Sequence, residues 1–246
     1  RAHLQALTSI KQPGALIDRI GIYAADGGRI LVDPELTALA LIIAVEKAGG
    51  VVVERTDPAR LPRAIKNAVE LKGSADAPVQ DGVAMVEFLH WLDKAKPGSL
   101  TEIQAVEALE AARARVGQNL QNPLRDVSFD SIAGAGEHAA IMHYRVTRQS
   151  DRKIEAGELF LIDSGAQYPD GPTDIPRTVA VGAPRPAMRD RFTRVLTGHG
   201  AIARAVFPVG PTGAQTAAFA PAPLSQARLA SAHRPGPAVA ASPSAP

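Results

Sequence analysis

The sequence predicts an α+β chain built from two unlike pieces, and three observations carry that prediction. A strand, a helix and a second strand follow one another between Arg29 and Val53. A long stretch with helical periodicity comes next. From Phe129 to Val181 the texture changes to short apolar runs separated by Gly, Pro and Asp, with a long helix behind them.

Each element has a local cause. Asp26-Gly27-Gly28 is a turn signal, and Arg29-Ile30-Leu31-Val32 reads as a short strand leaving it. Asp33-Pro34-Glu35 has the form of a helix N-cap, an N1 proline and a first-turn acid, so a helix is expected from there to about Ala48. It stops at Gly49-Gly50, and Val51-Val52-Val53 follows as a buried strand. This is the texture of the end of an α/β domain. Two prolines around Asp57 to Pro62 mark a boundary, which assigns residues 1–62 to that first piece. Beyond it, Asp81-Gly82 precedes an apolar-periodic helix from Val83 to Leu92, closed by Lys96-Pro97-Gly98. His90 and Trp91 lie inside it and read as packing residues. Thr101 begins a capping-box pattern with Gln104, and Ile103, Val106 and Leu109 form an apolar stripe. Strands are expected at about Phe129–Ile132, Ala140–Tyr144, Leu159–Asp163 and Thr173–Val181, then a helix from about Pro186 to Val206. Residues 63–215 form this second piece. Residues 216–246 are mostly Ala, Pro and Ser and are expected to be disordered, because they bury too little apolar surface to offset the ordering cost.

Composition excludes several classes. Lys and Arg total 27 against 25 Asp and Glu, a net charge of +2 that does not mark a nucleic-acid-binding surface. There is no cysteine, which removes disulfides and thiolate metal sites and fits a reducing cytoplasm. The longest largely apolar stretch, Leu36 to Val45, is too short to span a membrane, and no secretion leader is expected. Gly-x-Gly-x-x-Gly, Gly-Lys-Ser/Thr and Gly-x-Ser-x-Gly are all absent, and Gly134-Ala135-Gly136 is too short for a phosphate loop. The chain opens on Arg1, as a piece of a longer protein would.

The candidate chemistry is a pair of aspartates. Asp163 and Asp174 sit at the ends of apolar runs on either side of Tyr168-Pro169-Asp170-Gly171, and a hairpin turning there brings them nearly opposite each other. Like charges held that close favour a cation between them, and carboxylate oxygens suit a hard divalent ion such as Mn²⁺. The same pattern also describes two ordinary solvated turn acids. His143 is expected on a strand upstream, where a hydrogen-bonded strand histidine is the plain alternative.

At these residues the sequence resembles aminopeptidase P, the Xaa-Pro aminopeptidases of the creatinase/prolidase or pita-bread class. The resemblance lies in Phe129-Asp130-Ser131-Ile132-Ala133-Gly134-Ala135-Gly136, in His143-Tyr144-Arg145, and in Asp163-Ser164-Gly165-Ala166-Gln167-Tyr168 with Asp174 behind it. It continues through Arg177-Thr178-Val179-Ala180, Phe192-Thr193-Arg194-Val195-Leu196 and Ala203-Arg204-Ala205 to about Gln215, and back to Ile65-Lys66-Asn67. It implies a partial pita-bread catalytic domain preceded by the end of a creatinase-type α/β domain. By position, Asp163 binds one metal bidentately, Asp174 bridges two, and His143 contacts substrate. The implied reaction releases the N-terminal residue from peptides with proline second, using a hydroxide on two divalent ions, usually manganese. Membrane and nucleic-acid partners are not implied, and intact family members often form dimers. A prolidase acting on dipeptides and a non-enzymatic pita-bread binding protein are the alternatives.

The remaining ligands of that family, a histidine in a Gly-His-Gly context and two glutamates, have no counterpart here. No Asp or Glu follows Asp190. His199, in Thr197-Gly198-His199-Gly200, lies in the expected long helix and His233 lacks matching context, so neither takes the ligand role. Pro172 and Pro176 stand where the family has threonine, and Pro176 lacks a strand N–H donor. The chain as it stands is therefore expected not to hold a working two-metal site, and the change of composition suggests a truncated or frameshifted coding sequence. The DNA beyond the Gln215 codon checks this: a Gly-His-Gly segment and two glutamates are expected in an alternative frame, and their absence from every frame counts against it.

Overall fold

A computed structural model describes residues 2–207, 210 and 212–229. The chain divides into two compact units, Arg1–Asn67 and Ala68 onward. The division falls after the boundary at 62 expected from the prolines. Pro62 sits early in the short helix Arg60–Ala64, where a missing N–H has little to disrupt.

In the first unit the helices α1 (Ala2–Gln5) and α2 (Leu16–Ala24) precede β1 (Arg29–Val32), α3 (Leu39–Lys47), β2 (Val51–Glu54) and α4 (Arg60–Ala64). β1 and β2 pair in parallel from Arg29↔Val51 to Val32↔Glu54, with α3 as the crossover. Asp33 does not cap α3. Its carboxylate accepts the Glu35 N–H at 3.0 Å and the Asp57 N–H at 2.8 Å, which closes an Asx turn and ties the end of β1 to the segment after β2. The helix therefore starts later, at Leu39.

The second unit begins with α5 (Ala68–Lys94), a 27-residue helix that runs without interruption through Pro78 and through the Asp81-Gly82 pair expected to precede it. The Asp81 side chain does not act as a cap because it is buried against Arg113 of α6 (Glu102–Asn119). Thr101 caps α6 as predicted: its hydroxyl accepts the Gln104 N–H at 3.3 Å, and the Gln104 side chain accepts the Thr101 N–H at 3.0 Å. The buried stripe of α6 is rotated from the expected one. Ala105, Leu109, Ala112 and Val116 are buried, whereas Ile103 and Val106 are half-buried.

The strands are β3 (Asp126–Val127), β4 (Ile132–Ala135), β5 (Leu159–Ser164), β6 (Ala166–Gln167) and β7 (Ile175–Ala180). β4, β5 and β7 form an antiparallel sheet in that order, and β3 pairs with β6. On β5, Phe160, Ile162 and Ser164 are buried against the helices while Leu159, Leu161 and Asp163 face the other way. The core joins Phe160 and Ile162 to Met85 and Phe88 of α5, Ala105 and Leu109 of α6, and Ala133 and Ala135 of β4.

Two strand expectations are corrected. Phe129 lies in a bend and the strand starts only at Ile132. No strand covers Ala140–Tyr144: a 3₁₀ turn spans Gly136–Ala140 and a loop follows. The cause is Glu102, fully buried at the start of α6, which accepts the Ala135 N–H at 2.7 Å and the Tyr144 hydroxyl at 3.2 Å and meets His138 Nδ1 at 2.9 Å. These bonds draw the segment inward and out of strand geometry.

Helix α7 (Pro186–Ala203) starts at the predicted proline and ends before Val206. The segment from 216, expected to be disordered, contains structure in its first part: α8 (Gly213–Thr216), a 3₁₀ turn at Ala217–Phe219 and α9 (Ala222–Gln226). The rest of that expectation falls on residues 230–246, which lie outside the described residues. Among the described residues no helix is long and apolar enough to cross a membrane.

The ion pair between α5 and α6 has no exposed surface on either side chain. Arg113→Ala should lower unfolding stability by about 3–5 kcal/mol, the cost of leaving a buried charge unpaired. The urea midpoint measures it, and a loss under about 1 kcal/mol would mean that the pair is not buried as described.

Candidate metal centre

The hairpin forms where the sequence predicts it. Tyr168 and Gly171 exchange backbone hydrogen bonds at 3.1 and 3.2 Å, which closes a turn on Pro169-Asp170, and Gln167 bridges Pro172. The strands on either side pair as Ser164↔Ile175 and Asp163↔Pro176. Asp174 is thus two residues from the position directly across from Asp163. It is a diagonal neighbour on the same face, which brings the two side chains within reach of each other. Pro176 is accommodated because β7 lies at the edge of the described sheet.

The two carboxylates differ. Asp174 is exposed and Asp163 half-buried, and Asp163 Oδ1 is a buried atom with no hydrogen-bond partner. Burial pushes the Asp163 carboxyl up to about 6, the neighbouring Asp174 charge and the hydrogen bond between the two carboxyls push it the same way, and His143 partly offsets them. A half-buried carboxylate with an unpartnered oxygen, beside an exposed second carboxylate, is a donor set suited to a hard divalent cation. The set is also small: among the described residues no three His, Asp or Glu side chains lie together in a way that could hold a metal ion.

His143 sits in the loop before β5, not on a strand, and its backbone has φ 53°, the left-handed region that a side chain adopts only when its surroundings enforce it. The enforcing contacts are next door. The Tyr144 ring lies 4.4 Å from the His138 ring, its hydroxyl reaches Glu102 and Ser150, and Arg145 pairs with Asp130 at 2.6 Å. His143 itself is exposed, and it lies close enough to the aspartate pair to act electrostatically on Asp163. His199 is an exposed residue of α7, His90 is exposed on α5, and His233 lies outside the described residues.

The sequence reading missed the residues that hold the hairpin. Arg113 Nε and Nη2 donate to the two Asp81 oxygens at 2.7 and 3.0 Å. The same carboxylate accepts the Tyr168 hydroxyl at 3.1 Å and the Thr173 hydroxyl at 2.5 Å. Burial, followed by the nearby Asp81 charge, pushes the Tyr168 phenol well above its ordinary value, so it stays a donor. A signal was available: Asp81 falls on the buried stripe Ala77, Asp81, Ala84, Phe88 of α5, and Arg113 sits among Leu109, Ala112 and Val116 of α6. A charge on each apolar stripe requires a partner. Two close approaches complete the packing. A side chain at Gly73 would meet the Asp170 carbonyl oxygen at 2.1 Å, and one at Gly165 would meet the Thr173 carbonyl oxygen at 2.1 Å.

Comparison with known proteins bears on the family and the fold of the chain. The model of metallopeptidase family M24 matches residues 76–239, more than half of the chain, and extends past Gln215, the end of the stretch of sequence resemblance. The chain is 34% identical over 228 residues to aminopeptidase P2 of Arabidopsis thaliana, covering 81% of this chain and 31% of the relative. It is similar to the crystal structure of an X-prolyl aminopeptidase from Caenorhabditis elegans, described as a cytosolic enzyme with a di-nuclear active site. The TM-score is 0.78 and the identity 31%, over 92% of this chain and 37% of that one. A prolidase from Pyrococcus furiosus shares the fold at 20% identity, with TM-score 0.70 over 89% of this chain and 60% of that one. The chain spans about a third of the length of the plant relative.

Because the folded Asp163 carboxyl holds its proton to about 6, against an ordinary 3.8, the folded state binds more protons than the unfolded chain between those values. The resulting stabilisation is present at low pH and is lost as pH rises through about 6. Melting temperatures of metal-free protein should show this fall, and Asp163→Asn should remove it. An identical pH slope in the variant would contradict the assignment.

Proposed function

The chain belongs to metallopeptidase family M24, and from that premise we propose that it carries part of the dinuclear centre of an Xaa-Pro aminopeptidase. The observation that supports this most is the convergence of Asp163 and Asp174 on one sheet face, where Asp163 Oδ1 is buried without a hydrogen-bond partner. In this reading Asp163 and Asp174 hold divalent cations, Mn²⁺ by preference for carboxylate oxygen. The bound pair would supply an activated hydroxide at neutral pH and polarise the scissile carbonyl. His143, on its strained loop, contacts the peptide, whose second residue is proline.

The chain's own residues supply orientation. The hairpin presents the carboxylates, and Glu102 with Tyr144 fixes the loop that carries His143. The unpaired like charges raise the affinity of the pair for a cation. Among the described residues no three His, Asp or Glu side chains lie together, and we propose that the two aspartates are part of a two-metal centre whose other donors this chain does not supply. We place the activity in the cytoplasm, in keeping with the cytosolic enzyme it resembles. A homodimer belongs to the same proposal.

The test is a chimera in which this chain replaces the matching segment of the C. elegans X-prolyl aminopeptidase. The chimera should cleave Xaa-Pro tripeptides with Mn²⁺, whereas the chain alone should not. Asp163→Ala in the chimera should lower kcat/KM by about two orders of magnitude or more, the scale of losing a few kcal/mol of charge stabilisation. Cleavage of Xaa-Pro dipeptides in preference to tripeptides would favour a prolidase, and a folded chimera that captures peptides without cleaving them would favour a binding protein.

A further inference from the structure

We propose that Asp81 is a positioning residue for the aspartate pair, setting the placement of Asp163 and Asp174 from the far face of the sheet through the hydroxyl of Thr173. The inference rests on the reading of Asp163 and Asp174 as cation ligands. It concerns residues that contribute no donor atom to that cation.

The Thr173 side chain makes two hydrogen bonds with opposite roles. Its hydroxyl donates to Asp81 Oδ2 at 2.5 Å and accepts the Ala166 N–H at 3.0 Å. Thr173 directly precedes Asp174, and Ala166 lies three residues after Asp163, so one oxygen joins the segment that follows Asp163 to the segment that leads into Asp174. A backbone bond from Thr173 N–H to the Ala166 carbonyl at 2.8 Å closes the same step of the ladder. Ser128 clamps it from the side, its hydroxyl reaching the carbonyl oxygens of Ala166 at 2.8 Å and Thr173 at 3.0 Å.

The carboxylates themselves are held by little. Asp163 Oδ1 has no partner, and the contact between the two acids is repulsive once both are ionised. Their separation is therefore set by the backbone beneath them, and that backbone hangs from Asp81. Asp81 is in turn fixed by the two-point Arg113 pair and by the Tyr168 hydroxyl at the turn. Second-layer hydrogen bonds of this kind tune metal affinity without touching the ion.

A purely structural role would lower stability and leave cation affinity alone, so the test reads both. Asp81→Asn strands Arg113 and is liable to unfold the chain. Thr173→Val keeps the shape, leaves the Asp81–Arg113 pair whole and removes only the bridging hydroxyl. Mn²⁺ titrated into metal-free protein, with free ion followed by electron paramagnetic resonance, gives the Kd, and thermal melting gives stability. Thr173→Val should stay folded and bind Mn²⁺ about tenfold more weakly, while Thr173→Ser should restore the parent affinity. An unchanged Kd in Thr173→Val, or an equal loss in Thr173→Ser, would overturn the proposal. Asp163→Asn separates the two readings: it should abolish binding, and retained parent affinity there would mean that the pair is not the ligand set at all.

Discussion

The buried ion pair between Asp81 and Arg113 is the constraint on which the second unit depends. Two charges with no exposed surface are stable only where they are closely paired, and the geometry gives this carboxylate two guanidinium bonds and two hydroxyl donors. The pair locks α5 to α6. Its hydroxyl partners, Tyr168 and Thr173, lie at either side of the hairpin turn, so the same carboxylate that joins the helices also suspends the strands. One Arg113 nitrogen, Nη1, remains without a partner in this buried layer.

Glu102 plays a comparable part for the loop before β5. It is a fully buried acid in the first turn of a capped helix, where the helix dipole favours negative charge. It gathers a backbone N–H, a histidine and a tyrosine from the segment 135–144. His143 inherits its strained backbone from that anchoring. Two buried acids on two helices thus place the two parts of the candidate site: Asp81 the carboxylates, Glu102 the histidine.

Much of this was legible in the sequence, and the failures are instructive. The hairpin and its two aspartates were readable because turn chemistry and strand alternation are local signals, and the Thr101 cap and the Pro186 helix start were readable for the same reason. The break at Asp81-Gly82, the strand at Ala140–Tyr144 and the Asp33 cap were misread. In each, a polar side chain or backbone group that local rules assign to a cap or a ladder is claimed by a distant partner: Arg113, Glu102 and Asp57. The site shows the same division. Asp163, Asp174 and His143 announce themselves by motif, whereas Asp81, Thr173 and Glu102 become visible only when the helices pack.

Family membership and catalytic competence remain separate properties of this chain. The proposed site is part of a dinuclear centre and not a whole one. Metal analysis of the purified chain after equilibration with Mn²⁺ and exhaustive dialysis tests it most directly. Less than one ion per chain should survive dialysis, and what binds should depend on Asp163 and Asp174. Two tightly retained Mn²⁺ ions per chain would contradict that reading.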